Sequence, residues 1–112
     1  MTEFTLPYPV STNRLWRNYH GRMVKSQEAK QYAADAGMLA RVAGVDMLDG
    51  DVTMELRLFR PAKRMDIDNH LKVILDSMQG ILYKNDRQVN ELHVYLADDK
   101  ENPRVEVKAW AN

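Results

Sequence analysis

Residues 64–89 read RMDIDNHLKVILDSMQGILYKNDRQV. At about 100° per residue, Ile67, Leu71, Ile74 and Met78 fall in a narrow sector, with Leu75 beside them, which predicts an amphipathic helix over 67–79. Gly80 suits the position just past a helix end. The same stretch holds four aspartates, at 66, 68, 76 and 86, and Lys72 among them. Asp68, Lys72 and Asp76 follow at i, i+4 and i+8. Each step drifts only about 40°, so they line a stripe opposite or beside the apolar face. A packing helix requires the apolar stripe but not the acids.

The flanking sequence supplies what that helix covers. Residues 51–59, DVTMELRLF, alternate with period two, so Val52, Met54, Leu56 and Leu58 point one way and predict a strand ended by Pro61. Val89, Leu92, Val94 and Leu96 predict a second strand with an irregular start. ADDKENP reads as a solvated turn, and Val105, Val107 and Ala109 alternate in a final strand, so the chain is expected to close on a hairpin. Upstream, residues 2–7 read as a short strand and PYPVSTNRLW as a loop. Residues 26–43 read as a helix capped by Ser26, with Ala29, Tyr32, Ala33, Ala36, Leu39, Ala40 and Ala43 at helical spacing. The order β-α-β-α-β-β predicts an α+β fold, a small mixed sheet with two main helices, rather than a doubly wound sheet.

The chain has 112 residues, which predicts a single domain over 1–112. It has no cysteine, which excludes disulfides and thiolate metal sites and makes a reducing cytoplasm the expected setting. No apolar run approaches the roughly 20 residues of a membrane span. The opening MTEFTLPYPV has neither a basic nor an apolar signal region, so no secretory signal is expected. Formal net charge is zero, from 16 basic and 16 acidic residues. The charges are nonetheless sorted. Arg14, Arg17, Arg22 and Lys25 stand in a stretch without acids, as do Arg57, Arg60, Lys63 and Arg64. Two such segments read either as a local phosphate-binding surface or as solvated loops and strand ends.

Several carboxylates near one point repel one another, and their pKa values rise unless a counter-charge is present. A hard divalent cation relieves this, and Mg²⁺ prefers oxygen ligands, keeps several waters and uses one or two carboxylates beside substrate phosphate. Such an ion activates water and neutralises phosphodiester charge, while Lys72, one turn from Asp68, is placed to offset transition-state charge. Taken alone, each residue also has a plainer role. Asp66 or Asp68 can cap the helix, Lys72 can pair with Asp68 and Asp76, and Asp86 can be a turn residue. The segment is not an EF-hand loop, because Leu71 stands where that loop requires Gly. His20, His70 and His93 lack ligand spacing; His20 and His70 are expected at the surface and His93 on a strand. Tyr8, Trp16 and Tyr19, among basic residues, are expected to pack the N-terminal loop onto the core rather than stack on bases.

Taken together, these pieces resemble the RusA family of Holliday junction resolvases. That family's pattern is a basic pair, D-x-D-N, a Lys four residues after the second Asp, an Asp four further on, and an acidic pair followed by x-Q-V. Here it reads Lys63-Arg64, Asp66-Ile67-Asp68-Asn69, Lys72, Asp76 and Asn85-Asp86-Arg87-Gln88-Val89. LPYPVSTNRLWR likewise resembles the family's opening P-x-P-x-S-x-N-x-x-aromatic segment. Asn85 departs from the pattern, since the family often has two consecutive Asp there. The resemblance implies a homodimeric endonuclease that nicks four-way junction DNA in recombination and repair, in a bacterial or phage-infected cell. It implies Asp66, Asp68 and Asp86 as ligands of Mg²⁺ (or Mn²⁺ in its place), Lys72 as a catalytic cation, and Asp76 and Asn69 as supporting residues. Asn13, Arg14, Arg17, Lys63 and Arg64 are the expected DNA contacts. The alternative is a non-catalytic dimeric DNA-binding protein with a structural metal site. A nucleotide-sugar transferase with a D-x-D motif is disfavoured, because the chain is short and lacks a Gly-rich phosphate loop.

Overall fold

The computed structural model describes residues 1–9, 27–62 and 70–112 in full and the backbone of 16–19 and 22–25. In chain order the elements are β1 (Thr2–Pro7), β2 (Trp16–Tyr19), β3 (Arg22–Lys25), α1 (Gln27–Val42), β4 (Val52–Arg60), α2 (Leu71–Ser77), a 3₁₀ turn (Asp86–Gln88), β5 (Val89–Asp98) and β6 (Arg104–Ala111). Four strands form a mixed sheet in the order β1-β6-β4-β5, and β2 and β3 form a separate antiparallel pair. The class is α+β, as the alternating patterns predict.

The alternation of β4 does set one face of the sheet. Val52, Met54, Leu56 and Leu58 are all fully buried, and Val105, Val107 and Ala109 of β6 lie beside them. Both helices supply partners to this face: Ala29, Tyr32, Ala36 and Ala40 from α1, and Val73, Ile74 and Met78 from α2 and its end. Small residues let α1 come close. A Cβ on Gly37 would meet Ile81 Cδ1 at 2.7 Å, so at this point α1 runs nearly against the segment that follows α2. Tyr32 then ties α1 to β1 by donating its hydroxyl to Pro7 O at 2.9 Å. Burial pushes the Tyr32 phenol well above its usual pKa, so it remains a donor.

The expected terminal hairpin is not formed. β6 turns away from β5 and inserts between β1 and β4, antiparallel to both, while β5 pairs parallel to β4. The burial patterns give the reason. β6 hides every second residue and gains a neighbour on each edge, whereas β5 has no fully buried residue and suits an edge. The irregular start of β5 is present: Val89 pairs with Val52 and Glu91 with Thr53, so Asn90 is the extra residue of a bulge.

Other expectations need correction. The β2–β3 pair occupies sequence expected to be loop only up to Trp16, and was not anticipated. α2 is described over Leu71–Ser77 and ends two residues before 79, while residues 67–69 of the expected helix lie outside the described residues; its buried face is Val73, Ile74 and Ser77, with Leu71 only partly buried. On α1, Leu39 stays 44% exposed, so the apolar stripe is narrower than its spacing suggests. The 98–104 turn is more than solvated acid. Asp98 pairs with Arg60, and Asp99 pairs with Arg104 at 2.8 Å. The Asn102 backbone N–H and the Arg104 guanidinium hold the Asp99 carboxyl below its usual pKa range. Arg57 lies 4.7 Å from the centre of the Tyr95 ring. Two cations of the second basic segment are thus engaged within the protein.

This arrangement makes an asymmetric prediction for β4 and its edge neighbour β5. Leu56→Ala, at the fully buried centre, should cost about 2–5 kcal/mol. Leu92→Ala on the edge strand should cost under about 1 kcal/mol. Urea denaturation of both variants checks this; equal losses would contradict the edge position of β5.

Candidate active site

Of the residues singled out in the sequence, Lys72, Asp76 and Asp86 are described in full. Asp66, Asp68, Asn69, Lys63, Arg64, Asn13 and Arg14 lie outside the described residues. Arg17 is on β2, where the backbone alone is described.

Lys72 and Asp76 project from the same side of α2, one turn apart, with Nζ 3.5 Å from Oδ2. The lysine side chain is 62% exposed and the aspartate 12% exposed. Their side of the helix lies beside the face that buries Val73, Ile74 and Ser77, with Asp76 nearer to it than Lys72. An exposed i, i+4 pair is worth about 0.2–0.5 kcal/mol, so the contact does little to explain a carboxylate held so close to the core.

Asp86 is tied to the segment just past the C-terminal end of α2. After Ser77 the chain turns at Met78 and Gly80, whose φ of +83° favours glycine. Leu82 and Tyr83 then dive into the core, both fully buried. Tyr83 donates its hydroxyl back to Leu75 O at 2.7 Å, which pins the returning chain to α2. Burial pushes the Tyr83 phenol well above its usual pKa, and the negative charges of Asp86 and then Asp76 push the same way. The buried Tyr83 thus ties the segment that leads to the 3₁₀ turn back to α2.

The turn itself is firmly built. Asn85 caps it, accepting the Arg87 N–H at 2.9 Å. The Gln88 side chain answers by accepting the Lys84 and Asn85 N–H groups at 2.9 and 3.2 Å. The Asp86 N–H is taken by Gln79 Oε1 at 3.2 Å. Asn85 thus has a structural task that an Asp could equally perform. Tyr83, Gln79 and Gln88 were missed as contributors to the site. For Gln88 a signal existed: Asn85-x-x-Gln88 has capping-box spacing.

His70, expected at the surface, is 1% exposed and meets Tyr8 edge to face with centroids 4.9 Å apart. Its neighbour in sequence is Asn69, so the residue that follows the acidic run is anchored on the segment leaving β1. Tyr8 packs onto the core side as expected. His93 lies on β5, paired with Glu91 at 2.9 Å.

The donor chemistry suits a hard cation. The carboxylates of Asp76 and Asp86 offer oxygen only, the chain has no cysteine, and the exposed Lys72 stands beside Asp76. Among the described residues no group of three His, Cys, Asp or Glu is close enough to hold a metal by itself. Two of the three expected ligands, Asp66 and Asp68, are outside those residues. Among the described residues, too, no helix is long and apolar enough to cross a membrane.

Comparison with known proteins bears on this arrangement. A family model described as Endodeoxyribonuclease RusA matches residues 7–109. The crossover junction endodeoxyribonuclease rusA of Enterobacteria phage HK97 is 27% identical over 96 residues, covering 82% of this chain and 79% of that protein. The crossover junction endodeoxyribonuclease RusA of Escherichia coli strain K12 is 28% identical over 106 residues, covering 92% and 88%. Uncharacterized protein YqaN of Bacillus subtilis strain 168 is 42% identical over 53 residues, covering 47% of this chain and 37% of that protein. The family match takes in β4, β5, most of β6, both helices and the turn that bears Asp86, and the chain belongs to the RusA endodeoxyribonuclease family.

Proposed function

We propose that this protein is a Mg²⁺-dependent endonuclease that resolves four-way DNA junctions, working as a homodimer that nicks two opposed strands. One observation supports the reading: Lys72 pairs with a nearly buried Asp76 on α2, and the turn bearing Asp86 is tied back to that helix through Gln79 and Tyr83, in a chain of the RusA family whose Asp66-x-Asp68 run immediately precedes the helix. The relatives named as crossover junction endodeoxyribonucleases support the substrate class.

In this reading Asp66, Asp68 and Asp86 hold the cation, and Asp76 and Asn69 support them. When bound, the cation supplies charge neutralisation at the phosphodiester and a more acidic water. The protein's own groups do the rest. Asp76 holds Lys72 by its ammonium and aims it from an exposed helix face, where it can approach a non-bridging phosphate oxygen as negative charge develops there. Tyr83 stays protonated under the pressure of two carboxylates and keeps the helix and the turn joined. Asn13, Arg14 and Arg17, with Lys63 and Arg64, contact the DNA backbone; Arg17 is carried on the β2–β3 pair. Dimerisation matches a substrate with twofold symmetry, because one assembly then presents two equivalent sites.

Asp66→Asn, Asp68→Asn and Asp86→Asn should each lose nicking of a labelled mobile junction in Mg²⁺ while retaining junction binding in a gel-shift assay. Removing a ligand loses the cation, but lowering negative charge leaves phosphate contacts equal or better. Cleavage by Asp68→Asn at the parental rate would reject the assignment.

Lys72→Ala separates catalysis from folding. Loss of an exposed i, i+4 pair should cost a few tenths of a kcal/mol, roughly 2 °C in Tm. Loss of a transition-state cation should slow nicking on the order of 100-fold or more. A large drop in Tm with normal specific activity would mean that Lys72 is structural.

Sedimentation at micromolar concentration should give a dimer, and mapped nicks should be symmetric and sealable by ligase. Junction affinity should fall with salt, and replacing Lys63 and Arg64 together by Ala should flatten the log–log slope by about 2. A monomer that cuts one strand at full rate would remove the dimeric mechanism.

A further inference from the structure

We infer that Gln88 is a positioning residue for Asp86, acting through a cross-brace between the 3₁₀ turn and the loop that leads into β4. The inference rests on the proposed metal role of Asp86 and adds a residue to it.

The Gln88 amide uses both of its ends. Oε1 accepts the Lys84 and Asn85 N–H groups, at 2.9 and 3.2 Å. Nε2 donates to Leu48 O at 3.0 Å and to Gly50 O at 2.9 Å, about forty residues away in sequence. An amide nitrogen has two hydrogens and an amide oxygen two lone pairs, so this side chain is saturated. A saturated amide has one orientation, because rotation would set N–H against N–H and O against O. The loop it grips is itself fastened, since the Leu48 N–H donates to Leu82 O at 2.8 Å.

The result is a closed frame. It runs from the end of α2 through Leu82 to Leu48, across Gln88 to the turn, and back from the Asp86 N–H to Gln79 Oε1 at 3.2 Å. Asp86 sits inside that frame, on a three-residue turn too short to hold its own geometry. A turn cap alone would need only the oxygen of Gln88. The two bonds from its nitrogen contribute nothing to the cap; they fix where the turn stands relative to the sheet. Side chains that orient metal ligands typically change metal affinity or activity on the order of 10–100-fold when removed.

Three variants test this in the full-length protein. Gln88→Met keeps the side-chain length and removes every bond. Gln88→Glu keeps the acceptor for Lys84 and Asn85 and replaces the donor by an oxygen facing two carbonyls. Gln79→Met removes the second tie to Asp86 from an exposed position and guards against a Gln88 variant that does not fold. Amide hydrogen exchange should show faster exchange at Asp86 and Val89 in the Gln88 variants, with β4 and β6 unchanged. The Mg²⁺ concentration for half-maximal nicking should rise about tenfold or more in Gln88→Met and Gln88→Glu alike. High Mn²⁺ should restore the rate, and the Tm gain produced by Mn²⁺ without DNA should shrink. Gln79→Met should shift in the same direction.

Gln88→Met with parental exchange and parental Mg²⁺ requirement would overturn the inference. So would a normal Gln88→Glu beside a defective Gln88→Met, because the cap would then be sufficient. If the parental protein neither nicks junctions nor gains Tm with Mn²⁺, the proposed function fails instead; unchanged exchange in the variants would show separately that the brace does not hold the turn.

Discussion

The parallel pairing of β4 with β5 is the constraint on which the rest of the structure turns. Antiparallel neighbours can be joined by two residues, but parallel neighbours need a crossover that returns the chain to the same end of the sheet. Here the crossover is residues 61–88, and it contains Asp66, Asp68, Lys72, Asp76 and Asp86. The connection is therefore both a structural necessity and the carrier of the chemistry. Its helix buries Val73, Ile74 and Met78 against the sheet and carries the exposed Lys72 and the nearly buried Asp76 on the adjoining side. α2 spans only seven residues, and Asp86 is borne on the 3₁₀ turn between it and β5.

Turns are poor places to hold a charge accurately, and the molecule compensates with hydrogen bonds rather than with apolar packing. Tyr83 is the exception, a fully buried ring whose hydroxyl reaches Leu75 O. Around it, Asn85, Gln79 and Gln88 satisfy backbone groups that a short 3₁₀ turn leaves open. Burial first, and then the charges of Asp86 and Asp76, hold the Tyr83 phenol well above its usual pKa, so its hydroxyl remains a donor to Leu75 O.

The basic residues divide by position. Arg57 and Arg60 are drawn into contacts with Tyr95 and Asp98, and Arg104 into contacts with Asp99, Glu106 and the Phe59 ring. These pairs hold the cations within the sheet rather than leaving them to a partner. A formal net charge of zero thus hides an internal pairing of many charges, and composition alone is a weak guide to whether such a protein meets nucleic acid.

Much was legible in the sequence. Period-two alternation set β1, β4 and β6 and the buried face of β4, because a pleated strand must send alternate side chains to opposite sides. Helical spacing set α1 within a residue at each end and put Lys72 and Asp76 on one side of α2. The residue types of the candidate site, and the family pattern they form, were readable directly, since ligand chemistry depends on functional groups and their spacing. Strand order was not. Whether β6 folds back on β5 or inserts between β1 and β4 depends on which edges remain hungry for partners once β4 and β5 are paired, and alternation carries no such information. The burial of His70 was also hidden, because Tyr8 meets it from 62 positions away in sequence. So was the function of Gln88, whose partners at Leu48 and Gly50 lie in a loop with no pattern of its own. Local periodicity reports what a residue does to its neighbours in the chain; only the closed sheet decides which distant backbone groups are left for a side chain to hold.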